Sequence, residues 1–380
     1  MNLALNHRCT NCGACLNKCP QNAISVKEDG FFYMPVIDHD RCIECGLCEK
    51  VCIIDNDLSK KEALCASYGL WNRDDDVVIS SSSGGAFFGL AQSVLNDGGI
   101  VYGAAFSEDC KSVVFTSTDD TDLSRIMKSK YVESRVDLCF REVEDNLMSG
   151  RKVLFCATPC QVWGLVSYLG KTYDNLITCD FACGGLPSHA LYNEHIGLLE
   201  KKYRSKAVRV DFRPKSHGWK RYALTVEFEN GKKYNKLALL DDYYTAFLYK
   251  KYSVRDNCLD CEYAENHASD ITLADFWKHA SLSKLNNEMG ISLVLCNTQK
   301  GKNAVEKILK DYLHESLDIA DACYNNRKVN ATEEKKKSRA AFLNDCKTSG
   351  LRSACKRNIK RGALSTVKAQ ISDRIHRRNV

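Results

Sequence analysis

The sequence predicts an α+β fold in three parts: a small cysteine-dense N-terminal unit, a mixed α/β body, and a basic helical C-terminal extension. Three observations carry this expectation. Eight of the 21 cysteines lie within the first 52 of 380 residues. From 63 to 326, short apolar runs bounded by Gly, Ser and Pro alternate with stretches of helical spacing, the pattern of strands joined by helices. Residues 327–380 then hold 16 Lys and Arg against 4 Asp and Glu.

The N-terminal unit spans 1–58, and the polar run DNDLSKKE at 55–62 reads as a linker. Its cysteines form Cys9-x2-Cys12-x2-Cys15-x3-Cys19-Pro20 and then Cys42-x2-Cys45-x2-Cys48-x3-Cys52. This is the bacterial ferredoxin run, present twice. A short loop brings three thiolates to one face of a cubane, and the fourth cysteine of each run reaches the other cluster. One 4Fe–4S cluster is therefore assigned to Cys9, Cys12, Cys15 and Cys52, and a second to Cys42, Cys45, Cys48 and Cys19. Gly13 and Gly46 sit where the tight loop needs small residues. Zinc sites favour paired CxxC spacing, which two complete four-cysteine runs do not match. The second run ends in Cys52-Ile53 rather than Cys-Pro, which removes a turn preference but no ligand.

Composition excludes other classes. A hydrophobic fraction of 44% and a charged fraction of 27% are those of a globular protein, neither disordered nor fibrous. The start, MNLALNHRC, lacks the charged, apolar and cleavage regions of a signal peptide. No run approaches the ~18 consecutive apolar residues of a membrane span. The expectation is a cytoplasmic protein whose cysteines bind metal or do redox work. The net charge of +6 resides in the tail, since 327–380 carry +12 and 1–60 carry −2. No nucleic-acid role is expected of the body.

In the body, VVISSS at 77–82 reads as a strand end entering a Ser/Gly loop of Ser81, Ser82, Ser83, Gly84 and Gly85. A helix follows with Phe87, Phe88, Ala91, Val94 and Leu95 on one face. Such a loop at a helix start offers free N–H groups and hydroxyls to an anion; as often it is a plain capped turn. Strands are expected over 100–106, 152–157, 176–181 and 271–276, with Thr158-Pro159-Cys160-Gln161 leading into a helix to Leu169 and a hairpin at Glu229-Asn230-Gly231-Lys232. Strand tips ending in Pro/Cys or Cys/Gly are where α/β sheets build sites. Six cysteines in this region, 156, 160, 179, 183, 258 and 261, are candidates for a third cluster. Cys258-x2-Cys261, in the polar loop RDNCLDCEY, is better placed for metal than for core filling.

Taken together, the ferredoxin runs, SSSGGAFFGLA (81–91), SKYVES (129–134), VLFCATPCQ (153–161), CGGLPS (183–188), FRPKSHGW (212–219), and CLDC followed by SDITLADFW (258–277) resemble, in content and order, the beta subunit of coenzyme F420 hydrogenase/dehydrogenase. The resemblance covers most of 1–325 and divides the body into an N-terminal part, 63–148, and a C-terminal part, 149–326. It implies an iron–sulfur flavoprotein oxidoreductase. FAD would lie against Ser81, Ser82, Ser83, Gly84 and Gly85, near Ser129, Lys130 and Tyr131. A third 4Fe–4S cluster would be ligated by Cys160, Cys183, Cys258 and Cys261. Asp275 would serve a structural role behind the cluster loop, and His217 and Trp219 are candidates to line a substrate pocket. The family's usual Gly before Thr-Pro-Cys is Ala157 here. A flavin trades electrons in pairs and clusters trade them singly. The expected function is therefore electron passage between a hydride donor, such as coenzyme F420 or another small-molecule reductant, and a redox partner protein or ferredoxin. The alternative is an electron-transfer adapter without a substrate of its own.

In the tail, apolar residues fall at 351, 355, 359, 364, 367, 371 and 375 among many Lys and Arg. A basic amphipathic helix of this kind suits peripheral membrane contact, a partner surface, or a solvated end.

Overall fold

The computed structural model describes residues 8–54, 64–277, 288–318 and 331–360. The linker 55–62 lies outside them, as do Cys323 and the tail positions 364, 367, 371 and 375.

The N-terminal unit consists of α1 (Ala14–Lys18), the hairpin β1 (Ile24–Asp29) and β2 (Phe32–Ile37), and α2 (Leu47–Lys50). Gly13 and Gly46 cap the two helices with φ of 87° and 71°, a left-handed conformation that costs other residues strain. The expected need for glycine at both loops is met.

The body continues with β3 (Ala66–Asn72), α3 (Asp75–Ser80), α4 (Ala86–Asn96), β4 (Ile100–Phe106), β5 (Val113–Thr118), β6 (Ser134–Arg135) and α5 (Cys139–Met148). It goes on with β7 (Val153–Cys156), α6 (Pro159–Leu169), β8 (Leu176–Phe181), α7 (His189–Tyr203) and three strands, β9 (Ala207–Asp211), β10 (Ala223–Phe228) and β11 (Lys233–Leu237). After α8 (Asp242–Tyr244) come β12 (Ile271–Asp275), β13 (Ser292–Cys296), α9 (Gln299–Ile308), β14 (Tyr312–Ser316) and α10 (Glu333–Asn358).

A nine-stranded sheet in the order β14-β3-β13-β12-β8-β7-β4-β5-β6 forms the centre. Strands β12, β8, β7 and β4 pair in parallel. Strand β3 runs the same way, because it and β12 each pair antiparallel with β13. Strands from both sides of residue 148 thus share one sheet. VLFC and LITCDF are near-continuous apolar runs, as central parallel strands buried on both faces require. Helices α4 and α9 cover one face through Leu90, Ala91, Val94, Val305 and Ile308. Helices α5 and α6 cover the other through Phe140, Val143, Val162 and Leu165. The expected hairpin joins β10 to β11.

One expectation is overturned. Residues 77–82 do not end a strand; Val77, Val78 and Ile79 lie in α3. The Asp74 carboxylate accepts from the Asp76 N–H at 2.9 Å, and Asp75 and Asp76 occupy the first helical turn. Three consecutive acids capping and polarising a helix start outweigh a three-residue β-branched run.

The described part of the basic extension, 331–360, packs on the body. Phe342, Cys346, Leu351, Ala354, Cys355 and Ile359 are buried against α7 and its neighbours, and Leu351 N donates to Glu194 Oε1 at 2.8 Å. Apolar positions 351, 355 and 359 therefore face protein, and do not present a membrane-binding stripe. Among the described residues no helix is long and apolar enough to cross a membrane.

Candidate functional site

All parallel strands release their chains at one sheet edge, and the candidate residues gather there. Cys160 follows β7 as the second residue of α6. Thr158 caps that helix with Gln161, whose Oε1 accepts from Thr158 N at 3.3 Å and from Thr158 Oγ1 at 2.9 Å. Pro159 occupies the first helical position, where its missing N–H costs nothing. Cys183 lies just beyond β8, and Cys258 and Cys261 come from the turn Asp256–Asp260 and the residue after it.

These four body cysteines meet. The Cys160 thiol is pushed far up, first by burial and then by Cys261, Cys183 and Cys258. Burial and the neighbouring thiols push Cys258 up to about 12 and Cys183 up to about 11. Cys156 and Cys179 are not part of this group. They sit opposite each other on β7 and β8, and their side chains hydrogen-bond together.

The two ferredoxin sets also assemble with crossed fourth members. Cys12 is pushed up to about 12 by burial, with Cys9 and Cys52 adding to it. Cys15 responds to Cys12, Cys9 and Cys52. Cys19, Cys42, Cys45 and Cys48 line a second recess with Ile24 and Ile37. Backbone N–H groups point at the sulfurs: Asn11 N to Cys9 Sγ at 3.4 Å, Ala23 N to Cys19 Sγ at 3.3 Å, and Leu186 N to Cys258 Sγ at 3.3 Å.

Each quartet fits a cubane chemically. Burial opposes ionisation of Cys12, Cys15, Cys160, Cys183 and Cys258, yet a cluster takes up thiolate charge and the N–H groups stabilise it. Assembly on them releases thiol protons. Among the described residues no three His, Cys, Asp or Glu side chains converge on a single metal ion.

The first ferredoxin quartet abuts the body quartet. A Cβ added at Gly164 on α6 would stand 2.9 Å from Cys12 Cβ and 3.0 Å from its Sγ. The Tyr263 hydroxyl donates to Ile53 O at 3.2 Å, and its ring stands among Cys160, Cys12 and Cys261, whose thiols push its ionisation up. Gly164→Ala is expected to force α1 from α6 and destabilise the chain by about 1–3 kcal/mol, the usual cost of overpacking. Thermal unfolding of the Ala variant checks this.

The Ser/Gly loop follows β3 and α3 and opens α4. Ser82 Oγ accepts from Ser129 N at 2.9 Å and lies 3.0 Å from Ser129 Oγ. Ser83 Oγ donates to Ile291 O at 2.7 Å. A Cβ at Gly84 would lie 2.1 Å from Leu70 O, so only glycine permits the loop to lie on β3. Ser81 is buried, and Gly85 caps α4. The structure brings Ser82, Ser129 and Tyr131 into one neighbourhood, joined through Arg213. Arg213 donates to Ser82 O at 3.1 Å, to Tyr131 Oη at 3.4 Å, and to both Asp275 oxygens at 2.9 and 3.2 Å. Its guanidinium lies over the rings of Tyr222 and Trp277. Asp275 also accepts from Trp219 Nε1 at 3.0 Å. Trp219 stacks on Trp277 with centroids 4.3 Å apart. Trp219 and His217 are both buried, and His217 Nε2 is 2.9 Å from Asn235 Oδ1.

Cations crowd this neighbourhood. Lys128 pairs with Asp211 at 2.6 Å. Burial pushes Lys130 and Lys215 each down to about 7. Lys128 lowers both, and Arg213 lowers Lys215 further. Lys215 Nζ donates to Ser83 O at 2.8 Å. Arg213 and Lys215, the centre of the site, carry no role in the sequence reading, although FRPKSHGW was among the matching motifs. Their partner Asp275 is 62 positions from Arg213.

Comparison with known proteins matches residues 150–321 to the C terminus of the coenzyme F420 hydrogenase/dehydrogenase beta subunit and residues 8–56 to a 4Fe-4S dicluster domain. Residues 150–321 are similar to this beta-subunit family. The beta-subunit region contains the whole body quartet, Arg213, Lys215 and Asp275; the dicluster region contains both ferredoxin quartets. Both matched regions support iron–sulfur electron transfer. Its N-terminal segment is 39% identical over 56 residues to the methylamine utilization ferredoxin-type protein MauM of Methylobacillus flagellatus, covering 13% of this chain and 24% of that protein. It is 35% identical over 69 residues to ferredoxin YfhL of Escherichia coli, covering 17% of this chain and 76% of the ferredoxin. A ferredoxin-like protein of the nif region in Rhizobium leguminosarum bv. trifolii is 40% identical over 55 residues, covering 13% and 80%. The chain thus spans a quarter of the first relative and most of the two small ones. A chain of the F420-reducing [NiFe] hydrogenase complex from Methanosarcina barkeri, solved with xenon, aligns over 79% of this chain and 99% of its own, at 15% identity and a TM-score of 0.45.

Proposed function

We propose that the chain passes electrons between a hydride donor and a one-electron protein partner through FAD and three 4Fe–4S clusters. The observation that carries this is the body quartet: four thiols from three separate segments, those of Cys160 and Cys258 buried, adjoining the Cys9, Cys12, Cys15 and Cys52 set through Gly164 and Tyr263. Cys42, Cys45, Cys48 and Cys19 would hold the outermost cluster, whose Cys45 is exposed. When bound, the flavin supplies two-electron exchange and the clusters supply one-electron steps.

The chain's own residues favour a dinucleotide flavin. Lys128 and Arg213 are paired with Asp211 and Asp275, which leaves the half-buried amines of Lys130 and Lys215 for an anion the size of a diphosphate. Ser82 and Ser129 offer hydroxyls, and the Trp219–Trp277 stack with Tyr222 excludes water beside them. Arg213 and Asp275 fix the loop's position relative to β12. The substrate class fits coenzyme F420 or a similar reduced carrier, in a cytoplasmic setting; the partner class fits a ferredoxin or a redox subunit.

The test is anaerobic reconstitution with iron, sulfide and FAD, followed by flavin and iron assay. FAD and about twelve irons per chain are expected, four per cubane. Iron without FAD would favour the adapter reading.

A further inference from the structure

A second buried charge system lies between the dicluster unit and the body. Glu133 and Arg255, 122 positions apart, form an ion pair whose side chains are 0% and 4% exposed. Glu133 also accepts from Tyr33 N at 3.1 Å and Asn11 Nδ2 at 3.4 Å, and lies 3.2 Å from His189 Nδ1. His189 stacks on Tyr33 with ring centroids 3.6 Å apart. Arg255 donates to Cys9 O at 3.0 and 3.3 Å and to Tyr33 O at 2.8 Å, and its Nη2 is 3.0 Å from Met34 Sδ. Both charges therefore grip the dicluster unit from the body.

Arg255 is equally tied to the other quartet. Its N–H donates to Leu186 O at 3.0 Å, and Leu186 N donates to Cys258 Sγ at 3.3 Å. Pro187 and Val254 form a bridge beside them. From α10, Arg339 Nε donates to Val254 O at 3.0 Å, bracing the same segment. The guanidinium acts electrostatically on Cys9 and Cys258 together. Among the described residues, no hydrogen bond or ion pair of Arg255 or Glu133 reaches Cys19, Cys42, Cys45 or Cys48.

We propose that Arg255 and Glu133 are the charge pair that sets the relative potentials of the two centres they lie between. This rests on the cluster assignment above. Reduction adds negative charge to a centre. A nearby guanidinium favours the reduced form and a nearby carboxylate opposes it, most strongly where water is excluded. Arg255 raises the potentials of the Cys9 and Cys258 centres. Glu133, which accepts from Asn11 and Tyr33 of the dicluster unit, lowers that of the Cys9 centre. The pair thereby adjusts the step between them while holding the two units in register. Both are positioning residues; neither ligates.

The test uses the full chain, reconstituted without oxygen, with iron counted first and each centre titrated by electron paramagnetic resonance. Arg255→Gln is expected to move the Cys9 and Cys258 centres to lower potential. Glu133→Gln should move the Cys9 centre to higher potential. The double variant should return it toward the native value, and Arg255→Lys should keep most of it. The Cys42 centre should stay unchanged in all. A merely structural role would move both single variants in the same direction, or move all three centres, and either result overturns the proposal. So do unchanged potentials. If Arg255→Gln does not fold, Glu133→Gln still decides the sign, and a native-like potential in Arg255→Lys separates charge from shape. If the native chain holds only about eight irons, the third-cluster reading fails separately. The two ferredoxin centres then test Arg255 alone: the Cys9 centre must move and the Cys42 centre must not.

Discussion

A Cys258→Ser chain assembled without oxygen is expected to hold about eight irons where the native sequence holds about twelve, since each cubane carries four. Cys258 is central to the body quartet. It adjoins Cys183 and Cys261 electrostatically, and its sulfur accepts the Leu186 N–H. A serine hydroxyl is a poor ligand for soft iron–sulfur chemistry and ionises far less readily than a thiol. The remaining three thiols would be left in a dry pocket without the fourth corner. Cluster absorbance should fall by about a third with the iron. Cys156→Ser is the matched control: it is also a body cysteine at a strand tip, but its partner is Cys179, and iron content should not change. If Cys258→Ser leaves the iron unchanged, or Cys156→Ser lowers it equally, the quartet is wrongly assigned.

That division among six body cysteines shows what the sequence could and could not convey. Local patterns were legible because they are local. The expected strands at 100–106 and 176–181 match β4 and β8 residue for residue, and α6 ends at Leu169 as expected. Ferredoxin spacing fixed which thiols share a recess, crossed fourth members included. Three consecutive aspartates at 74–76 carried the signal for α3, and the β-branched run after them obscured it. Strands β3 and β14 went unforeseen: only their pairing with distant β13 and with each other makes them part of the sheet. Burial of charge was the hardest to read. SKYVES itself does not mark Lys130 as partly buried. Nothing in SKYVES or RDNCLDC says that Glu133 and Arg255 meet across 122 positions. Likewise the tail's apolar spacing announced a helix but not which surface it would cover.

The half-buried amines of Lys130 and Lys215 lead to the second large effect: FAD affinity is expected to weaken as pH rises from about 7 to 9, up to tenfold per unit for each lysine that must regain a proton. In the flavin-free chain burial holds Lys130 and Lys215 down to about 7, with Lys128 lowering both. A diphosphate beside them favours the charged amines and lifts both values, so binding above pH 7 takes up protons. Fold stability should slope the other way. An unfolded lysine titrates near about 10.4. Between about 7 and 10.4 the unfolded chain holds protons that the folded flavin-free chain has lost, and by linkage stability then rises with pH. Anaerobic flavin titrations at several pH values, set beside denaturant unfolding of the flavin-free chain, measure both slopes. Lys130→Met should flatten each of them, because it removes one amine from both equilibria. The two slopes must be opposite in sign; an affinity independent of pH would remove the lysines from the diphosphate site, whatever the flavin content.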